Sequence, residues 1–485
     1  MIFRMVLLCL VCIGSVLVGS NLEAQEQPNL VFMIADDCTY LDMEVYGGQA
    51  KTPRLKQLAE EGLMMSRCFQ TAPMCSPTRH NIYTGIYPVK SGAWPNHTQV
   101  YPGTKSIVHY LKDAGYRVSL SGKGHINPRD SFPFDYSKDF SDPSQMERSD
   151  PFPSLQKLIS ESKSEGKPFC LFACSNEPHS PWTQGDASVY SPEDLELPPS
   201  WVDTPATRRQ YSKYLAEITF FDRQCGALLD LIEKEGVADK TLVMVVSEQG
   251  SSFPFAKWTC YELGLASGMI VRWPGHTRAG TESDALVEYV DIAPTFLEAA
   301  GLATPDTMDG KSFLSVINDP GKEHKKFTYG LHTTKGILNG SDSYGIRSCG
   351  TKTHRYIRNL SPENTFSNVF LKNPVWAEWQ AKADAGDVQA KTMTARYQKR
   401  PAEELYDVSV DPHCLNNLIG QVDVELIRSE LSGELDRWMA DQGDEGVATE
   451  DLALTRQRKA QNNKKNNKDS KDSKKKQDKQ TESEQ

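Results

Sequence analysis

NLVFMIADD, residues 29–37, is an unbroken apolar run closed by two carboxylates. A short run without polar alternation reads as a strand buried on both faces, which puts Asp36 and Asp37 just beyond its C-terminal end. Outward from it, Pro53 opens a helical pattern carrying Leu55, Leu58 and Leu63. Strand patterns at 117–120, 168–173, 242–247 and 269–272 then take turns with helical ones at 155–163, 208–235 and 291–300. That alternation predicts an α/β fold with a mostly parallel sheet flanked by helices. After about residue 314 the segments shorten to YGIRS, THRYIRN and ELYDV, with a helix over 422–439. These predict a smaller C-terminal antiparallel sheet plus helix. The expected division is a leader at 1–24, a main domain at 25–314, a C-terminal subdomain at 315–454 and a basic tail at 455–485.

Of the 485 residues, 38% are hydrophobic and 24% charged, the mix of a globular chain able to bury a core. The 54 Lys+Arg and 64 Asp+Glu residues are unevenly placed: the tail is +6 and the remainder −16. An acidic body argues against nucleic-acid partners, because phosphate neutralisation needs a basic face. Arg4 followed by the apolar residues 6–18 reads as a signal peptide, so the protein is expected to be exported, periplasmic or secreted. No later stretch reaches transmembrane length, so no integral membrane segment is expected after signal cleavage. Residues 457–485 carry almost no apolar residue and are expected to be a disordered solvated tail; a basic tether to an acidic glycan is the other reading. Eleven cysteines less two in the leader leave nine, an odd number, so at least one is expected to be unpaired. Cys170 and Cys174, four strand residues apart, are too distant to bridge each other.

In open parallel sheets ligands bind outside the carboxyl ends of the strands. The polar residues gather there: Asp36 and Asp37, Lys123 and His125, His179, then Glu248 and Gln249. Between them lies Cys75-Ser76-Pro77-Thr78-Arg79, where Pro77 suits a first helical turn and puts Cys75 at a helix N-terminus that favours anions. Taken singly, a buried Cys beside a turn proline, and a helix cap or turn at Asp36-Asp37, are the plainer readings.

Together, NLVFMIADD, CSPTRHNIYTG, SGKGHINP, EPHSPW, SEQG…FAK and ELYDVSVDP resemble the formylglycine-dependent sulfatases of the alkaline-phosphatase-like superfamily. GKGHINPRDSFPFDY and ELYDVSVDPHCLNNL are most similar to the N-sulfoglucosamine sulfohydrolase branch. The resemblance implies that a formylglycine-generating enzyme oxidises Cys75 to an aldehyde whose hydrate is the nucleophile. A serine or cysteine attacking sulfur would be left as a stable ester, whereas a gem-diol keeps a second hydroxyl to expel sulfate. It further implies that Asp36, Asp37, Glu248 and Gln249, with residue 75, hold a metal ion; that Arg79, Lys123 and His125 hold the diol, His125 being the base; and that His179 and Lys257 grip the sulfate and protonate the leaving group. Glu248 and Gln249 stand where the family usually has Asp followed by Asn or His. Because all proposed donors are oxygens, calcium is the first choice and magnesium the second. Lys257 aligns with a residue that is often Arg in the N-sulfoglucosamine branch; Lys keeps the charge without the bidentate fork.

Trp94, His97, Glu177, His332, Arg347 and His354, from the variable segments around these motifs, are candidates for contacting a sulfated glycan substrate. A phosphodiesterase or phosphonate monoester hydrolase of the same fold, and a degenerate sulfatase that only binds glycan, are the rival functions. Sequons begin at Asn96, Asn339 and Asn359.

Overall fold

The computed structural model describes residues 27–457; the expected signal peptide and all but the first three residues of the expected tail lie outside the described residues. Nine strands form the main sheet: β1 (Asn29–Ile34), β2 (Leu63–Phe69), β3 (Arg117–Gly122), β4 (Asp135–Ser137), β5 (Phe169–Cys174), β6 (Thr241–Val246), β7 (Ala266–Arg272), β8 (Thr281–Ser283) and β9 (Val287–Glu288). Their order is β4-β3-β5-β1-β6-β7-β2-β8, with β9 also pairing β2. β1 runs parallel to β5 and β6, and β3 parallel to β5, so four carboxyl ends lie side by side. The continuous apolar sequence of β1 follows from burial on both faces. Val31 and Met33 join one core with Leu215 and Phe221 of the long helix Pro205–Lys234. Leu30, Phe32 and Ile34 join the opposite core with Ile82, Phe296 and Leu297.

The expected fold class is met, with two local differences. The helical pattern at residue 53 ends at Glu61, as α1 (Pro53–Glu61), and Leu63 instead starts β2, antiparallel to β7. Gly62 makes the break: a Cβ there would lie 2.3 Å from the Val271 carbonyl oxygen. β7 is in turn antiparallel to β6, so the sheet is mixed on that side.

A second sheet of four antiparallel strands follows: β10 (Thr328–Thr333), β11 (Gly345–Gly350), β12 (His354–Asn359) and β13 (Glu403–Asp407). The helix Glu425–Gln442 covers it through Leu431, Leu435 and Trp438, packed with Cys349 and Tyr356; Trp438 stacks on Tyr329 at 4.8 Å between ring centres. Buried ion pairs fasten this sheet to the first: Arg355 Nε donates to Glu262 at 2.6 Å, and Lys325 reaches Glu288 at 2.9 Å and Asp291 at 2.7 Å. All nine cysteines among the described residues are buried and unpaired, Cys170 and Cys174 included. Asn96 and Asn359 are only 6% and 3% exposed, so of the three sequons the one at Asn339 is left on an accessible loop. No helix among the described residues is long and apolar enough to cross a membrane.

Asp291 illustrates what the fastening contributes. Burial disfavours its charge, but Lys325 and His324 outweigh that and hold its carboxyl down at about 2. A depressed carboxylate stabilises the fold above its unfolded value, 3.8, and that contribution is lost as pH falls towards about 2. Asp291→Asn is expected to cost about 3 kcal/mol at neutral pH. Urea unfolding of both proteins, repeated at lower pH, should show the gap closing only below that unfolded value.

Candidate active site

Most functional side chains follow the end of a strand or sit in the first turns of a helix, while His179 and Lys257 come from the loops beyond β5 and β6. Asp36 and Asp37 follow β1 after Ala35, held by the Asp36 amide donating to the Glu177 carbonyl at 2.9 Å and the Asp37 amide donating to Glu248 Oε2 at 3.2 Å. Lys123 follows β3, its amide bonded to the Cys174 carbonyl at the end of β5. Glu248 follows β6 after one residue, with its amide donating to the Tyr289 hydroxyl at 2.9 Å. Asp37, His97, His125 and Glu248 all have left-handed backbone, with φ of 64°, 56°, 55° and 68°. Such strained positions cluster where surrounding structure over-determines a site.

The expected helix start is present: Cys75 is the first residue of α2 (Cys75–Thr84) and is fully enclosed. Its Sγ lies 3.4 Å from Asp36 Oδ1, 3.6 Å from Asp37 Oδ1, 3.1 Å from Gln249 Nε2 and 3.5 Å from Lys257 Nζ. One helical turn on, Arg79 pairs with Glu248 at 2.8 Å and donates to the Lys123 carbonyl at 3.0 Å. Lys257 bridges both oxygens of Asp37 at 2.6 Å each, and Lys123 pairs with Asp36. His179 Nε2 stands 3.6 Å from Asp37, its side chain 40% exposed, while Nδ1 is fixed on the Ser180 carbonyl at 2.7 Å. His125 Nε2 meets His97 Nδ1 at 2.9 Å. Of the residues predicted from strand ends, Asp36, Asp37 and Gln249 reach the sulfur directly and His179 and Glu248 lie in the same cluster, while Lys123 pairs with Asp36 and His125 with His97.

The electrostatics are those of a crowded, dry pocket. Burial resists the charge on Asp36, but Lys123, His179 and Arg79 prevail and hold its carboxyl well below the usual range. Burial pushes the Glu248 carboxyl up from its ordinary value, with Arg79 opposing. Burial also raises the Cys75 thiol, and Asp36 adds to it, so the unmodified side chain is not a thiolate nucleophile at neutral pH. His125 is held neutral well below the ordinary histidine value by burial, then by Lys123 and His97. One ligand atom from each of Asp36, Asp37, Cys75 and Glu248 fits within a 4.8 Å cluster. The buried Oε1 of Gln249 has no hydrogen-bond partner. Three carboxylates with an orphaned amide oxygen form a donor set that suits a hard divalent cation.

The candidates for substrate contact separate sharply. His97 is exposed and touches His125. Glu177 is turned inwards, its carboxylate accepting from the Ser175 hydroxyl at 2.9 Å while its carbonyl holds Asp36. Trp94 is buried in the core of the second sheet. Arg347 is wholly enclosed and neutralised by Asp444 and Glu450, so it has no charge to offer a glycan. His332 is 0% exposed, and His354 sits apart, at the start of β12, beside a cavity lined by Glu323, Lys325 and Lys352. For His332, Arg347 and His354 the cause is alternation in β10–β12, which turns those side chains into the subdomain core or onto its far face. Two supporting residues were not foreseen. Trp258 lies under Lys257, whose Nζ is 4.6 Å from the ring centre, and its position next to that lysine was the available signal. Tyr289, beneath Glu248, is 41 residues away, and no local spacing points to it.

Comparison with known proteins gives a consistent picture. The model of the family described as sulfatase matches residues 28–302, and that described as N-sulphoglucosamine sulphohydrolase, C-terminal, matches residues 250–369. An ulvan-active sulfatase of Formosa agariphila is 31% identical, covering 86% of this chain and 81% of its own. Human N-sulphoglucosamine sulphohydrolase is 24% identical over 89% of this chain and 94% of its own. Among solved structures, a protein in complex with its substrate D-glucosamine-2-N,6-O-disulfate superposes with a TM-score of 0.65 at 20% identity, covering 87% of this chain and 99% of that one. This last likeness speaks for the fold.

Because Arg79 and Glu248 are both wholly buried, removing one strands the other. Arg79→Met in metal-free protein is expected to cost about 3–5 kcal/mol. Adding Glu248→Gln should recover part of the loss, which a double-mutant cycle by urea denaturation would measure.

Proposed function

Since the chain belongs to the sulfatase family, we propose that it hydrolyses sulfate esters or sulfamates of a sulfated carbohydrate, using a formylglycine hydrate made from Cys75. The observation that carries this reading is the convergence of two carboxylates, an amide and an ammonium on Cys75 Sγ within 3.6 Å. Relatives named for ulvan and for N-sulphoglucosamine support a sulfated sugar as substrate. A formylglycine-generating enzyme is the maturing partner, and the apolar leader directs the protein out of the cytoplasm.

Asp36, Asp37, Glu248 and Gln249 would hold calcium, with magnesium second. The longer Glu and Gln side chains are compatible with that ion because calcium accepts variable denticity. The ion would supply the positive field in which a hydroxyl at position 75 ionises. The hydrate supplies one hydroxyl to take the sulfuryl group and a second to expel it.

This chain's own residues do the rest. Arg79, tied to Glu248, and Lys123, tied to Asp36, keep position 75 in a cationic surround at the N-terminus of α2. His125, held neutral, accepts a proton from the second hydroxyl. Lys257 and the partly exposed His179 face the sulfate. His179, oriented through Nδ1, passes a proton from Nε2 to the leaving oxygen or nitrogen.

The decisive test is the mass of the peptide from Cys68 to Arg79 after co-expression with a formylglycine-generating enzyme, together with turnover by Cys75→Ala. An aldehyde at position 75 and a folded but inactive variant are expected, with chelation abolishing activity and calcium restoring it. A persistent thiol, an active variant, or a preference for an aryl phosphate diester over an aryl sulfate would sink the reading. Because His125 stays neutral below its ordinary value of 6.5, the acid limb of kcat/KM should lie below pH 6.5. His125→Gln should remove that limb along with most of kcat.

A further inference from the structure

The His125 ring has two nitrogens, and only one of them has a partner among the described residues. His125 Nε2 lies 2.9 Å from His97 Nδ1, with the two ring centres 4.9 Å apart. His125 Nδ1 is buried and makes no hydrogen bond. The backbone of His125 is fixed separately, its carbonyl accepting from the Ser76 hydroxyl at 3.0 Å, one residue from position 75. The loop of residues 92–101, which carries His97, is fixed as firmly. Its Val100 amide donates to the Asn127 carbonyl at 3.1 Å, which ties it to the segment that holds His125. From the outside, Arg456 Nε donates to the Gly92 carbonyl at 2.8 Å and Gln457 Nε2 to the Asn96 carbonyl at 2.9 Å. Within these clamps His97 itself keeps a left-handed φ of 56°. Neither imidazole is therefore placed by chance packing of an unrestrained loop.

A neutral imidazole carries one N–H and one lone pair, so two imidazoles that share a hydrogen bond have two arrangements. In the first, His125 donates from Nε2 to His97 Nδ1, and the lone pair of His125 is on Nδ1. In the second, His97 donates, and the hydrogen of His125 moves to Nδ1. The second arrangement buries an N–H that has no acceptor. It also leaves His125 without a lone pair for a hydroxyl at position 75, since Nε2 is already engaged. In the first arrangement the buried Nδ1 gains its donor when that hydroxyl is in place. The surrounding charges agree: the cations Lys123 and Arg79 act on the ring more strongly than the carboxylate Asp36 does. A cationic surround favours a lone pair over an N–H turned towards it.

We propose that His97 is a positioning residue for His125: its Nδ1 accepts the Nε2 hydrogen and so locks the base in the tautomer whose lone pair is on Nδ1. The effect on turnover rests on the sulfatase reading; the tautomer does not. The test compares the full chain with His97→Ala, which removes the acceptor, and His97→Asn, which keeps an acceptor oxygen at the δ position and tolerates left-handed backbone. His97 is exposed, so neither change empties the core. The first readout is the imidazole 15N shifts of 15N-histidine-labelled protein near neutral pH, with His125 assigned from the spectrum of His125→Gln. The second is turnover of 4-nitrophenyl sulfate after co-expression with a formylglycine-generating enzyme. The unsubstituted protein and His97→Asn should carry the His125 proton on Nε2, and His97→Ala should show a mixture of tautomers. His97→Ala should lose about tenfold in kcat with little change in KM, and His97→Asn should recover most of it. A His125 proton on Nδ1 in the unsubstituted protein would overturn the proposal outright, as would an unchanged tautomer in His97→Ala. Equal losses of kcat in both variants would also overturn it, because a merely structural role is not rescued by the δ acceptor. So would intact turnover of the small sulfate with a raised KM for a sulfated oligosaccharide, the signature of a glycan contact. If the unsubstituted protein turns over no sulfate, the sulfatase reading fails, and the nitrogen shifts alone decide whether His97 sets the tautomer.

Discussion

Everything in this molecule is arranged around a set of buried charges that tolerate one another only in place. Asp36, Asp37 and Glu248 face Arg79, Lys123 and Lys257 around the side chain of residue 75, and five of these six are 3% exposed or less. An unpaired charge in such a pocket would cost several kcal/mol. Balance is therefore possible only if β1, β3, β5 and β6 end, and α2 begins, at the same level. The parallel register supplies that level: Ile34 of β1 aligns with Cys174 of β5 and Val246 of β6. Left-handed backbone at Asp37 and Glu248 then turns the two carboxylates towards one point.

The second sheet is a brace for this arrangement. Glu262, in the segment after Lys257, is locked by Arg355 from β12, and Glu288 and Asp291 are locked by Lys325 just before β10. Trp258 supports Lys257 from below and lies 6.2 Å from the His332 ring. Arg347 closes the far side by gathering Asp444 and Glu450. Its role is to hold the chain's last described turns in place. Those turns end in the Arg456 and Gln457 contacts that seat the rim loop.

Much of this was legible in the sequence, and for identifiable reasons. The apolar run of β1 announces burial on both faces, and the carboxylates that interrupt it announce the edge of the sheet. Pro77 marks the first turn of α2 and so the place of Cys75. Periodicity was silent about β2, whose mixture of Met, Ser and Arg has no clean period, and about β10. The burial of the substrate candidates His332 and Arg347 escaped notice for a different reason. Arginine and histidine have the same composition value whether they face a ligand or a buried carboxylate, and Asp444 lies 97 residues beyond Arg347.

The sequence by itself therefore determined the strand-ends-as-site architecture, because that depends on local hydrophobic period, while the resemblance carried by motifs only a few residues long pointed to the inner ring of residues. Only the tertiary structure decided which charges cancel. It paired Arg79 with Glu248, made Arg347 a strut, kept His97 beside His125 and brought Gln457 back to residue 96. Such pairings join residues tens to hundreds of positions apart, and their sign and burial are set by packing, which no local pattern encodes.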